Sequence, residues 1–180
     1  MTNPVSYEYV TLGERAICLR TLRCPLAYLG LGGAYEYRFV YEDKSPEALR
    51  LMKESYQRAY RIAPERAGAN VGLAWVSYFQ RDNDQAYVYL KKALALDPSS
   101  LHVLTDIGGF LRSIGMLGRA AEYFTRVIQA GGTTGDMFLL RGYTYEQMGP
   151  FESAIADYER MIELDPGDDK ARSTGPGRSS

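Results

Sequence analysis

The chain of 180 residues is 46% hydrophobic and 24% charged, enough apolar material for a sizeable core within the length of one domain. Its 21 basic and 22 acidic residues leave a formal net charge of -1, so no broad field draws nucleic acid or an anionic membrane, and neither is an expected partner. Cys18 and Cys24 are the only cysteines, too few for a disulfide scaffold and without metal or redox pairing; ordinary thiols in a reducing compartment, the cytoplasm, are expected.

From the N-terminus, residues 10–23 are expected to form one amphipathic helix that covers the elements after it. Residues 15–34 set arginines before an apolar, small-residue run, the order of a signal peptide, but the run starts too far inside the chain. Arginines, Pro25 and paired glycines also keep it short of the roughly 20 apolar residues that span a bilayer. A helix start follows at Ser45, an N-cap residue, with Pro46 at the first helical position and Glu47 beside the positive end of the dipole.

Further along, the chain repeats itself. Arg61-Ile62-Ala63-Pro64, Ala95-Leu96-Asp97-Pro98 and Glu163-Leu164-Asp165-Pro166 close three similar phrases, the first two 34 residues apart and the third 68 further on, with Gly132 at the intermediate place. At the same spacing Ala74, Gly108 and Gly142 coincide, as do Ala86, Ala120 and Ala154, and then Leu90, Phe124 and Tyr158. Small residues recurring beside a large one predict pairs of antiparallel helices whose backbones approach closely. Apolar stripes at helical spacing support this, with Leu117, Ala120, Ala121, Phe124, Val127 and Ile128 on one helix and Phe151, Ala154, Ile155, Tyr158, Met161 and Ile162 on another. Turn-forming clusters at residues 81–84, 115, 131–135 and 148–150 divide the stripes.

The period and the order of residue sizes resemble the tetratricopeptide repeat family. The last repeat carries the pattern best, with Phe138, Gly142, Tyr145, Ala154, Tyr158 and Pro166, but has Arg141 where the family prefers leucine. In the first repeat Leu31, Gly32 and Tyr35 supply the pattern, yet Gly32 precedes Ala74 by 42 residues instead of 34, which predicts about one extra turn in each helix of that pair. The resemblance implies an all-α solenoid of antiparallel helix pairs wound as a right-handed superhelix. The expected organisation is an N-terminal segment 1–25 with a capping helix, repeats at 26–64, 67–98, 101–132 and 135–166, and a small, polar, disordered tail at 167–180.

In that family the first helix of each repeat lines a concave groove through its second, fifth, ninth, twelfth and thirteenth positions. Carried over, the resemblance places Val71, Trp75, Tyr78 and Phe79 on the groove, then His102, Thr105, Gly109, Arg112 and Ser113, then Leu139, Tyr143, Glu146 and Gln147. Trp75, Tyr78, Arg112 and Tyr143 are the strongest candidates, because large aromatics and arginine give contact area for little ordering entropy. Spacing alone does not separate groove from core for Trp75 or Phe79. The family's co-chaperones hold a terminal carboxylate with lysines and asparagines; those positions here carry Val71, Trp75, Thr105, Asp106 and Gly109, so acidic chaperone tails are not expected ligands.

No catalytic residue, metal site or cofactor is assigned. The chain has a single histidine, His102, and no base beside either cysteine in sequence. Leu29-Gly30-Leu31-Gly32-Gly33 lacks the lysine and hydroxyl residue of a phosphate loop. Asp82, Asp84, Asp168 and Asp169 fit no calcium-loop pattern. The reading is a non-enzymatic scaffold or adaptor for a protein or peptide partner. The alternatives are a secretion-chaperone-like dimer, with residues 10–23 as dimerisation helix, and a regulatory fragment of a larger enzyme. A polar tail does not cover the last apolar stripe, so Ile155, Tyr158 and Ile162 are expected to form an exposed edge that pairs with a second copy or a partner.

Overall fold

The computed structural model describes residues 24–164, and every helix or strand among them is an α-helix. The chain divides into two compact units, Met1–Ser99 and Ser100–Ser180. In the first, α1 spans Pro25–Tyr41, α2 Pro46–Ile62, α3 Ala67–Phe79 and α4 Asn83–Leu96. In the second, α5 spans Leu101–Ser113, α6 Leu117–Gln129, α7 Gly135–Met148 and α8 Phe151–Leu164. The all-α helical-repeat fold expected from the period is the observed one.

The longer first pair is present: α1 and α2 have 17 residues each, against 13 in α3 and 14 in α4. The predicted cap of α2 forms, with the Ala48 N–H donating to Ser45 Oγ at 3.1 Å. Asp43 ties the turn before it, accepting from Arg38 Nη2 at 2.8 Å and from the Ser45 N–H at 2.8 Å.

In three of the four hairpins a ring fills the space where a side chain is missing, and in the pair of α3 and α4 Ala74 and Leu90 take those places. The Tyr56 ring lies between Gly32 of α1 and Gly72 of α3: a β-carbon built on Gly32 would sit 2.6 Å from it, and one on Gly72 would overlap it. In the second unit the same geometry sets Gly108 against Phe124 and Gly142 against Tyr158, each at 2.7 Å. Such distances are far inside van der Waals contact, so only glycine permits these crossings. Around Tyr56 the core of the first unit gathers Met52, Leu73 and Val76. The second unit buries Phe110, Phe124, Leu111, Val103 and Val127, and beyond them Phe138 with Met161.

The turn after each first helix demands a left-handed residue. Gly149 ends α7 at φ 105° and Gly115 follows α5 at φ 80°, while the matching place after α3 is Arg81 at φ 67°. Only a residue without Cβ adopts this conformation without cost.

Three expectations change. Tyr158 is 5% exposed and belongs to the interior, so the apolar edge of α8 keeps Ile155 and Ile162 but not Tyr158. Cys24, next to α1, is disulfide-bonded and not an ordinary thiol. Val71, expected on an accessible face, is 3% exposed inside the first unit. The helix expected at 10–23, Cys18 and the tail at 167–180 lie outside the described residues. No helix among the described residues is long and apolar enough to cross a membrane.

Candidate interaction faces

In the first unit, α3 buries nearly its whole circumference. Trp75, Tyr78 and Phe79 remain half-buried at its C-terminal end. Their rings form one cluster, with centroids 5.7 Å apart for Trp75 and Tyr78, 6.0 Å for Trp75 and Phe79, and 5.5 Å for Tyr78 and Phe79. Phe39 of α1 joins through Phe79 at 4.9 Å. Trp75 and Phe79 also pack on the Tyr56 core. Each of these two rings thus packs on the hairpin core and is itself only half-buried.

In the second unit, α5 buries Val103, Leu104, Ile107, Gly108, Phe110 and Leu111. His102, Thr105, Asp106, Gly109, Arg112 and Ser113 stay outside that set, and their spacing of three and four residues makes them one face. Along it, His102 Nδ1 is 3.1 Å from Asp106 Oδ2. Thr105 and Ser113 turn their hydroxyls inward to the helix, donating to the Leu101 and Gly109 carbonyls at 2.8 and 2.9 Å. Arg112 is half-buried, and its Nε is shut off from solvent with no acceptor.

On α7, Leu139 packs against the core of Phe138 and Met161. Tyr143 meets the Tyr158 ring edge-to-face at 5.9 Å. Glu146 and Gln147 are exposed, but Glu146 is not idle: its Oε2 accepts from the Tyr158 hydroxyl at 2.7 Å. Burial, then this bond to a carboxylate, pushes the Tyr158 hydroxyl well above the ordinary tyrosine range.

Two features escaped the sequence reading. Glu36 is the counterpart of Glu146 and accepts from the Tyr56 hydroxyl at 2.8 Å. Both glutamates follow a tyrosine and stand four residues beyond the crossing glycine, a signal hidden by the longer first repeat. The second feature explains the departure at Arg141. Its guanidinium donates from Nε and Nη2 to the two oxygens of Asp157 at 2.8 and 2.6 Å, and from Nη1 to Thr125 Oγ1 at 3.0 Å. Asp157 has a side chain only 6% exposed. This two-pronged bond raises the Arg141 pKa above its ordinary value.

A shallow, open depression of about 510 Å³ lies between α6 and α7, with Ala121, Thr125, Tyr145 and Met148 among its lining residues. No group of three or more histidine, cysteine, aspartate or glutamate side chains among the described residues converges as metal ligands would.

Comparison with known proteins agrees with this geometry. The model of the tetratricopeptide repeat matches residues 67–100 and 135–168. A stretch of 77 residues, 43% of this chain, is 31% identical to a UDP-N-acetylglucosamine–peptide N-acetylglucosaminyltransferase of Giardia intestinalis, but spans only 5% of that protein. The solved structure of Pseudomonas aeruginosa pilF is similar with a TM-score of 0.69 at 24% identity, over 82% of this chain and 64% of that one. YrrB, described as a TPR protein with an unusual peptide-binding site, has a TM-score of 0.62 at 22% identity, over 89% of this chain and 78% of its own. The chain thus carries tetratricopeptide repeats, as its period and residue sizes indicated.

Proposed function

We propose that this chain of tetratricopeptide repeats is a non-catalytic scaffold or adaptor, and that the first helices of its repeats hold an extended segment of a partner protein. The observation that carries the reading is the half-buried ring cluster of Trp75, Tyr78 and Phe79, beside core that already fixes these rings. Preset aromatic surface costs little further entropy when it is covered, which is the property of residues that dominate interface energies. In the second unit the faces are the stripe of His102, Thr105 and Arg112 on α5, and Leu139, Tyr143 and Glu146 on α7. Val71 is left out because it is buried. The similarity to YrrB, a TPR protein with an unusual peptide-binding site, supports the same use of the fold. The proposed division is four repeats at 26–64, 67–98, 101–132 and 135–166.

The test is affinity capture with the full chain, repeated with Trp75→Ala and Arg112→Ala, and identification of bound proteins by mass spectrometry. Partners recovered by the parent chain are expected to be depleted by both variants while circular dichroism still shows the helical fold. Recovery of the same proteins in the same amounts by all three would refute the reading. Exposed Phe151, Ile155, Ile162 and Leu164 on α8 support a second contact, to another copy or to a partner; a strictly monomeric, partner-free species at high concentration counts against it. Disulfides persist in oxidising compartments, so with Cys24 disulfide-bonded the cytoplasmic location expected from the sequence is not carried forward.

A further inference from the structure

We propose that Arg112 is the anion-recognising residue of the α5 face, and that the segment bound there presents an aspartate or glutamate side chain to it. The inference rests on the peptide-scaffold reading above and names the chemistry of its ligand.

It comes from comparing one position across repeats. Four residues beyond the small crossing residue stand Glu36, Tyr78, Arg112 and Glu146. In the first and fourth repeats the occupant is answered from within, since Glu36 accepts from Tyr56 and Glu146 from Tyr158. In the third repeat the ring that fills the crossing is Phe124, which has no hydroxyl, and the occupant is a cation instead. Arg112 Nε is removed from solvent and donates to nothing, and the guanidinium forms none of the ion pairs among the described residues. On the same faces Asp106 stands 3.1 Å from His102, and Glu146 on α7 accepts from the Tyr158 hydroxyl.

A half-buried guanidinium without an ion-pair partner is matched by a group that accepts in the plane of its fork, and because Nε is out of reach of solvent the fork that meets a ligand is the terminal pair of nitrogens. A carboxylate does this with two parallel bonds, which a neutral carbonyl cannot match. The predicted anion is a carboxylate within the segment, an aspartate or glutamate side chain, and the test removes the peptide's terminal carboxylate as the other source of this chemistry.

A library of random peptides, all joined to their carrier through the C-terminus, is selected against the full chain and its Arg112→Gln and Arg112→Glu variants. The parent chain is expected to enrich peptides with an acidic residue at one register. Arg112→Gln should lose that preference and bind the selected peptides about 10- to 100-fold more weakly, the size of a lost charge-assisted bond. Arg112→Glu should select a basic residue at the same register. Arg112→Lys keeps the charge without the fork, so a weakened acidic preference in a folded Lys variant gives the same answer if the other variants misfold. Peptides enriched without acidic preference, or with a preference unchanged in Arg112→Gln, overturn the assignment to Arg112 and leave the scaffold reading standing. Enrichment of no peptide by the parent chain removes the scaffold reading and this inference with it.

Discussion

In the hairpin of α1 and α2 the crossing of Gly32 and Tyr56 is surrounded by Met52, Leu73 and Val76, with Leu29 and Leu49 at its margin. In the hairpin of α7 and α8 the crossing of Gly142 and Tyr158 has a buried ion pair for a neighbour, Arg141 with Asp157. Both hairpins add the same finishing bond, a tyrosine hydroxyl to a glutamate on the first helix. The shared part is what the backbone geometry requires, since two helices this close need a ring and a gap to match. The differing part is what the repeat tolerates around that requirement. An apolar surround loses a little stability with each methyl removed, whereas a buried pair fails abruptly when one partner goes.

The largest expected effect therefore lies at Arg141. Arg141→Leu gives the fourth repeat the residue the family prefers but leaves the Asp157 carboxylate buried without its partner. A loss of about 3–5 kcal/mol in denaturant unfolding is expected. Adding Asp157→Tyr copies the combination of Leu73 and Tyr89 from the second repeat and should recover most of that loss. A single variant as stable as the parent chain would show that the ion pair is not the reason for the departure.

Next come the crossings themselves. Gly142→Ala drives a β-carbon to 2.7 Å from the Tyr158 ring, and overpacking of this kind costs about 1–3 kcal/mol, against a gain of roughly 0.5–1 kcal/mol in helix propensity. The second repeat shows how the conflict is avoided, with Ala74 at the small position and Leu90 at the large one. Gly142→Ala with Tyr158→Leu should then be more stable than Gly142→Ala alone. If the double variant is the weaker one, size matching at the crossing is not the governing rule.

Much of the fold is legible in the chain because its signals are local and repeated. The helical stripes, the Ser45 cap and the glycines set 34 residues apart each state a backbone requirement that tertiary packing then satisfies. Side-chain partnerships are less legible. Arg141 announces itself as a departure from leucine, but nothing in the spacing selects Asp157 from the other carboxylates. Val71 shows the limit for the candidate faces: helical periodicity says which residues share a face, not how much of it the neighbouring helices cover. Trp75 and Phe79 lie at that boundary, as their contacts with both core and surface rings show. Glu36 was obscured by the extra turns of the first hairpin, which take the Glu36–Tyr56 pair out of step with Glu146–Tyr158.

That last pair of bonds gives a smaller, paired prediction. Tyr158→Phe and Tyr56→Phe each remove one hydroxyl and keep the ring in its glycine gap. Each is expected to cost about 1–2 kcal/mol in the unfolding midpoint, somewhat more than a neutral hydrogen bond because the acceptor is a carboxylate. Loss at one site and none at the other would break the equivalence drawn between the two hairpins.

The smallest expected effect tests the turns. The second unit places glycine after both first helices, Gly115 and Gly149, whereas the first unit holds Arg81 in the same left-handed conformation. A non-glycine residue there carries about 1 kcal/mol or more of strain, partly offset because glycine loses more freedom on folding. Arg81→Gly should therefore stabilise the chain by roughly 0.5 kcal/mol, and Gly149→Ala should destabilise it by a somewhat larger amount. The opposite signs follow from one φ requirement met by different residues. Thermal melts in which both substitutions move the midpoint in the same direction would mean that Arg81 contributes something beyond its backbone, and would direct attention to its side chain.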